Sequence, residues 1–256
     1  MLSGSNPLAA ATFPASSAVG SAFRAAFRAV SWTAFAIAAT LAFAAWLIVA
    51  GPPENAVPGS PPRSAVMGLI DRIQEVPERP DVPGYGRECP SPCSFGEAWS
   101  DSTDAPGGHN GCPTRQDVLA RDIRGATKKP DDACARSGGI LDDPYSGEQI
   151  VLGSSYADIH IDHVFPLSAA WDLGAATWEQ RQRDRFANDI DANLIAVSGP
   201  ANVEKGDKLP SEWMPPGPWR CFYAGRMAVA AVTYELAMPT ADLEEMRTAA
   251  GTCLER

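Results

Sequence analysis

The chain has 256 residues, 45% of them hydrophobic and 20% charged, a balance that counts against wholesale disorder and allows one well-cored domain plus an appendage. Its formal net charge of -10 counts against a protein living by salt-driven, non-specific attachment to DNA, which needs a basic face. An enzyme that meets a few phosphates with local cations stays open.

Residues 1–30 are rich in Ala and Ser, with Arg24 and Arg28 the only charges. Ser31 to Ala50 then carries no charge at all, and at ~1.5 Å rise per residue it is long enough to cross a bilayer core. Arginines before the span and none close after it predict an amino end inside and the rest exported. A retained anchor is the favoured reading. A cleaved signal peptide also fits, because Ile48-Val49-Ala50 ends in a small residue. The uniform apolarity and the Pro52-Pro53 break speak against a buried soluble helix. The expected organisation is therefore a cytoplasmic segment 1–30, a membrane segment or signal 31–50, a proline-rich linker 51–64 and an exported domain 65–256.

Six cysteines, at 89, 93, 112, 134, 221 and 253, all lie on the exported side, so disulfides are the expected state. Six cysteines allow fifteen pairings. A zinc site is the rival, but Cys89-x-x-x-Cys93 is loosely spaced for it and no second close pair completes a tetrahedral set.

Met67, Leu69, Ile70 and Ile73 predict an amphipathic helix over 65–76. Residues 77–111 read as loop, with His109 a solvated turn residue in a glycine-rich run. Thr114 to Ile123 reads as a helix capped by Thr114, with Val118, Leu119 and Ile123 inward. Arg115 in its first turn is either a surface residue or a phosphate contact. Cys112 and Cys134 flank this helix, and a bridge between them would tie its two ends. Asp142 to Gly147 is a turn signal before a strand at 150–152, expected to pair with Tyr156–Val164. Helices are expected at 168–173 and 177–190, the second capped by Thr177 and bearing Arg181, Arg183 and Arg185. A strand at 192–198 and a helix from 201 follow, with Asn202 near its first turn. Beyond a stiff loop at 215–218, helices at 219–236 and 240–252, the last capped by Thr240, would form a hairpin. That hairpin brings Cys221 near Cys253 and leaves Cys89 with Cys93 by elimination.

The chemistry concentrates between Tyr156 and Trp213. Strand alternation puts Asp158, His160 and Asp162 on one face and Ile159 and Ile161 on the other, ending at the adjacent pair Asp162-His163. Two carboxylates and an imidazole on one face are costly unless that face is solvated or binds a cation. Asp162-His163-x-x-Pro166, Asn193-Leu194 and Asn202-x-x-Lys205-Gly206, in strand, strand, helix order, resemble the HNH endonuclease superfamily, the ββα-metal or His-Me finger nucleases. A wider frame is similar to exported bacterial HNH proteins once known only as a domain of unknown function. It comprises Cys112-x-Thr-Arg115, Asp143-Pro144-Tyr145-x-Gly147, Pro166-Leu167-x-x-Ala170-Trp171, Phe186-Ala187-Asn188-Asp189 and Pro210-x-Glu212-Trp213, and the likeness runs from about Gly84 to Cys253.

The resemblance implies an α+β fold: a ββα-metal core over about 156–213, embedded in a mostly helical, disulfide-stapled domain. It implies His163 as general base, Asp162 and Asn202 as ligands of Mg²⁺ or Mn²⁺, and Asn193 as support for the loop that orients His163. His160 and Asp158 sit at the edge of that site, as further metal or substrate contacts or as plain strand residues. Lys205 and Lys208 are expected where phosphates would lie. Two departures stand out: the last letter is asparagine where many members have histidine, and 156–206 lacks the cysteines that build zinc-stabilised cores elsewhere. The implied activity is hydrolysis of phosphodiester bonds in DNA, or RNA. The alternatives are a non-catalytic exported binding module on the same scaffold and a hydrolase of another phosphodiester polymer.

Overall fold

The structure is a computed structural model describing residue 57 and residues 60–89 and 93–255. The expected segments 1–30 and 31–50, and most of the 51–64 linker, lie outside the described residues. Among the described residues, no helix is long and apolar enough to cross a membrane.

The chain runs through α1 (Arg63–Ile70), β1 (Glu75–Val76), a long irregular segment and α2 (Thr114–Asp122). Two antiparallel hairpins follow: β2 (Thr127–Lys129) with β3 (Asp132–Ser137), and β4 (Ile140–Asp142) with β5 (Gln149–Val151). Then come β6 (Ile159–His163), α3 (Leu167–Asp172), α4 (Gln180–Asn188), β7 (Leu194–Ser198) and α5 (Gly199–Lys205). The chain closes with α6 (Trp219–Thr233), β8 (Met238–Pro239) and α7 (Thr240–Ala250). The result is a mixed α/β molecule with three disulfides.

The β6–β7 hairpin separates two apolar groups. Ile159, Ile161, Leu194 and Ala196 pack with Val118, Leu119 and Ile123 of α2. Ile195 and Val197, on the opposite face, join the larger core built around α6, α7, α1 and α3. Alternation along β6 is as the sequence predicts: Ile159, Ile161 and His163 are buried, His160 and Asp162 half-buried. A two-stranded ribbon leaves an unpaired edge, which is a liability unless covered. Here α2 covers it with side chains: Asp122 accepts the Ala196 amide (2.8 Å), and Arg121 donates to the Leu194 carbonyl (2.8 Å).

Several expected elements differ. α1 stops at Ile70, because residues 74–76 leave the helix to pair in parallel with β8 (Glu75↔Met238, Val76↔Pro239). Its buried stripe is Val66, Ile70 and Ile73, while Met67 and Leu69 are only partly buried. β5 pairs with β4 and not with β6. The cause is local: Asp143, fully buried, accepts the Tyr145 amide (3.0 Å) and the Ser146 hydroxyl (2.7 Å), and Gly147 at φ +78° completes the reversal. Thr114, Thr177 and Thr240 do not cap their helices; Pro113 and Pro239 precede α2 and α7, and Glu179 precedes α4. The threonine hydroxyls instead donate to the Ser100 carbonyl, the Gly174 carbonyl and the Glu75 carboxylate. The arginines of α4 face its neighbours: Arg181 pairs with Asp104, and Arg183 holds the Ser94 carbonyl while lying 5.6 Å over the Trp171 ring.

All six cysteines are paired, as Cys89–Cys93, Cys112–Cys134 and Cys221–Cys253, with Cα–Cα separations of 4.4, 5.5 and 5.0 Å. The zinc alternative therefore falls. Cys112–Cys134 ties the start of α2 to β3, and Cys221–Cys253 clips α6 to the end of α7.

Candidate functional site

Asp162 sits at the centre of a buried polar network. One oxygen, Oδ2, accepts from the Tyr145 hydroxyl (2.7 Å) and from the Lys205 ammonium (2.7 Å). No hydrogen bond reaches Oδ1 among the described residues. Lys205 is wholly buried, donates also to the His163 carbonyl (3.1 Å), and lies 5.8 Å from the centre of the Tyr145 ring. Burial and the neighbouring Asp162 charge hold the Tyr145 phenol well above its usual range, so it donates. Lys205 was expected to meet phosphates; the structure corrects this. Its charge is spent inward, because among the described residues Asp162 is the carboxylate paired with this fully buried ammonium. Gly206 follows at φ +56°, ending α5 in a conformation few other residues adopt.

His163 closes β6 and is 8% exposed. Its Nε2 donates to the Ala187 carbonyl (2.9 Å), which leaves the lone pair on Nδ1. The Trp99 ring stacks on it, centroids 5.8 Å apart and planes 15° from parallel. Burial lowers its pKa from 6.5 to about 4, against the opposing pull of Asp162 and the Ala187 bond. The imidazole is therefore neutral at ordinary pH.

Asn193 is fully buried and clamps the backbone just after His163. Its Oδ1 accepts the Phe165 amide (2.8 Å), its Nδ2 donates to the Phe165 carbonyl (3.3 Å), and its own carbonyl accepts the Val164 amide (2.8 Å). In α5, the Asn202 amide nitrogen faces His160 Nδ1 (3.4 Å), which turns its oxygen away from that ring. His160 packs against Gly199, where an added Cβ would stand 2.9 Å from Nε2.

Adjacent strand residues point to opposite faces, yet at the end of β6 Asp162 and His163 border one cavity of about 250 Å³ together with Asn202, Arg87, Ser168 and Asp207. A second cavity of about 320 Å³ lies against His163 on its other side. Tyr85, Arg87, His163 and Leu167 wall both. Among the described residues no group of three or more His, Cys, Asp or Glu could hold a metal. The oxygen-bearing side chains on the cavity of about 250 Å³ are those of Tyr85, Asp162, Ser168, Asn202 and Asp207.

The other expected residues fall outside these cavities. Asp158 is exposed in the turn before β6, its carbonyl accepting the Gly199 amide (2.8 Å). Arg115 donates to the Tyr156 and Ile159 carbonyls (3.2 and 2.8 Å), bracing the approach to β6 beside a separate cavity with Lys129 and Arg136. Lys208 is exposed and folds back onto the Glu204 carbonyl (2.8 Å). Sequence reasoning missed Arg87 and Trp99, which sit in an irregular segment without periodicity. It also gave Tyr145 no role, although the residue lies inside the Asp143-Pro144-Tyr145-x-Gly147 frame; a phenol beside a conspicuous turn was the available signal.

Residues 114–248, just over half of the chain, match the family model described as GmrSD restriction endonucleases, C-terminal domain. A protein of Arthroderma benhamiae described as an uncharacterized secreted protein is 38% identical over 144 residues, covering 56% of this chain and 68% of its own length. No solved structure matches.

Proposed function

We propose, since this chain belongs to the family of GmrSD restriction endonuclease C-terminal domains, that it is an exported endonuclease hydrolysing phosphodiester bonds of nucleic acid, DNA foremost. We read β6, β7 and α5 as an HNH-type ββα-metal core. The observation that carries this reading is the shared cavity: Asp162 and His163 at the end of β6 and Asn202 in α5 border one opening. Export is supported by the three disulfides, which persist in oxidising surroundings, and by the relative's description as secreted.

In this reading Nδ1 of His163 takes the proton of the attacking water. Ala187 fixes the tautomer by accepting from Nε2, and Asn193 fixes the ring's position through the 164–165 backbone. A base of pKa about 4 is weak but unprotonated across the working range, so its availability costs little. Tyr145 and Lys205 hold Asp162 by Oδ2, and Oδ1 takes no hydrogen bond among the described residues. Asp162 and Asn202 offer hard oxygen donors, few enough to leave room for water and substrate, which suits Mg²⁺ or Mn²⁺ rather than a closed zinc cage. Such an ion, when bound, supplies stabilisation of the charge that builds on the phosphate and the departing oxygen.

The test is plasmid nicking by the purified oxidised chain with Mg²⁺ or Mn²⁺ and an EDTA control. Cleavage with either ion, lost in EDTA and lost in His163→Gln while that variant still unfolds cooperatively, is the expected result. No cleavage of any nucleic acid would leave a binding module on this scaffold, and cleavage of another phosphodiester polymer alone would reassign the substrate.

A further inference from the structure

The 320 Å³ cavity beside His163 differs in kind from the one that holds Asp162 and Asn202. Tyr85, Phe95 and Trp99 give it aromatic walls, with Tyr85 and Phe95 edge to face at 6.3 Å. Its volume lies at the lower end of small-molecule sites, about 300–1,000 Å³, which suits one flat heterocycle. Asn188, 1% exposed, lines it. The Asn188 amide nitrogen donates to the Asp184 carbonyl (3.0 Å), fixing the side chain's orientation, and among the described residues its Oδ1 has no hydrogen-bond partner. A buried acceptor without a donor is rare in folded proteins and calls for a ligand that carries one.

Aromatic walls plus an orphan acceptor describe a planar ring with an N–H edge. Every nucleobase offers such an edge: the exocyclic amines of adenine, cytosine and guanine, and the ring imides of guanine, thymine and uracil. Arg87 stands on the wall common to both cavities and can meet the intervening phosphate. We propose that this cavity takes one unstacked nucleobase next to the phosphodiester engaged at His163, so that single-stranded nucleic acid is the preferred substrate form. The inference rests on the nuclease reading. A base inside a duplex shows only its edge in a groove and cannot lie against these rings; a base in a single strand can, and stacking on aromatic side chains is the common device for holding it.

The test uses the oxidised chain and a short single-stranded oligonucleotide carrying one abasic residue, stepped along the sequence. An abasic residue beside the scissile phosphate should lower kcat/KM about tenfold or more, with little effect at distant positions. The matching duplex should be cut at least tenfold more slowly. In EDTA, fluorescence anisotropy should show the same abasic position weakening binding, a readout independent of turnover. Asn188→Leu should shrink the abasic penalty; should that variant not fold, the substrate series decides alone. Cleavage that ignores the abasic position, or that treats duplex and single strand alike, overturns the base pocket while leaving the nuclease intact. Absence of all cleavage with Mg²⁺ and Mn²⁺ overturns the nuclease reading and this one with it.

Discussion

Lys205 looks like a phosphate-binding lysine in the sequence and behaves as a strut in the structure. Its ammonium and the Asp162 carboxylate neutralise one another where neither has enough water. Lys205→Met should therefore act on stability first: removing one partner of a buried pair costs about 3–5 kcal/mol, seen as a lower midpoint in urea. Unchanged stability with weakened DNA binding would restore the phosphate role. His163 makes the second prediction at this scale. Its folded pKa of about 4 lies below the ordinary 6.5, so the unfolded chain binds the proton more readily. The stability this contributes is whole above pH 6.5, declines as pH falls from 6.5 to 4, and is constant below, a loss on the order of 3 kcal/mol. Urea midpoints in metal-free buffer should drop across that window, and His163→Gln should flatten the drop.

The elements around the site are coupled by close contact rather than by length. α5 starts at Gly199 because any side chain there would meet His160 Nε2 at 2.9 Å and the Asp158 carbonyl at 3.2 Å. Gly199→Ala should thus push His160 and the first turn of α5 apart, costing about 1–3 kcal/mol and raising the Mg²⁺ concentration needed for half-maximal cleavage. Adding His160→Ala should recover part of the loss; additive effects of the two changes would show that they do not touch in solution. The β6–α5 order was legible from sequence because alternation and the Gly199-Pro200 break are local signals. Asn193 as a support came from the family resemblance; of the cysteine pairs, Cys221–Cys253 followed from the helical hairpin, Cys112–Cys134 from their places on either side of α2, and Cys89–Cys93 by elimination. What stayed hidden was tertiary. The β4–β5 pairing depends on buried Asp143, the early end of α1 depends on a strand 164 residues away (Gln74 to Met238 is joined at 2.9 Å), and the threonine hydroxyls serve distant loops.

At the scale of the whole molecule, charge sets how nucleic acid can be met. With a net charge of -10, and with Lys205 buried and Arg115, Arg121 and Arg183 bonded to backbone carbonyls, few cations face the cavities; Arg87 is the one on both walls. Binding of a single strand should therefore depend weakly on salt, with a slope of log Kd against log[NaCl] of about 1–2, since each neutralised phosphate contributes about 0.7. A slope of about five or more, on the order expected of a basic DNA-binding face, would require a track of further cations along the bound strand.

The family match spans residues 114–248 and contains Asp162, His163, Asn193 and Asn202. Tyr85, Arg87, Phe95 and Trp99 lie before it, on the segment clipped by Cys89–Cys93. In the proposed reading, bond-breaking residues and substrate-facing wall sit on separate stretches of the chain, one ordered by strands and a helix, the other an irregular loop laid across them. On that reading the division is modular: a loop rewritten in length and chemistry above an unchanged hairpin would let relatives that share the matched span cut by the same chemistry while choosing different targets.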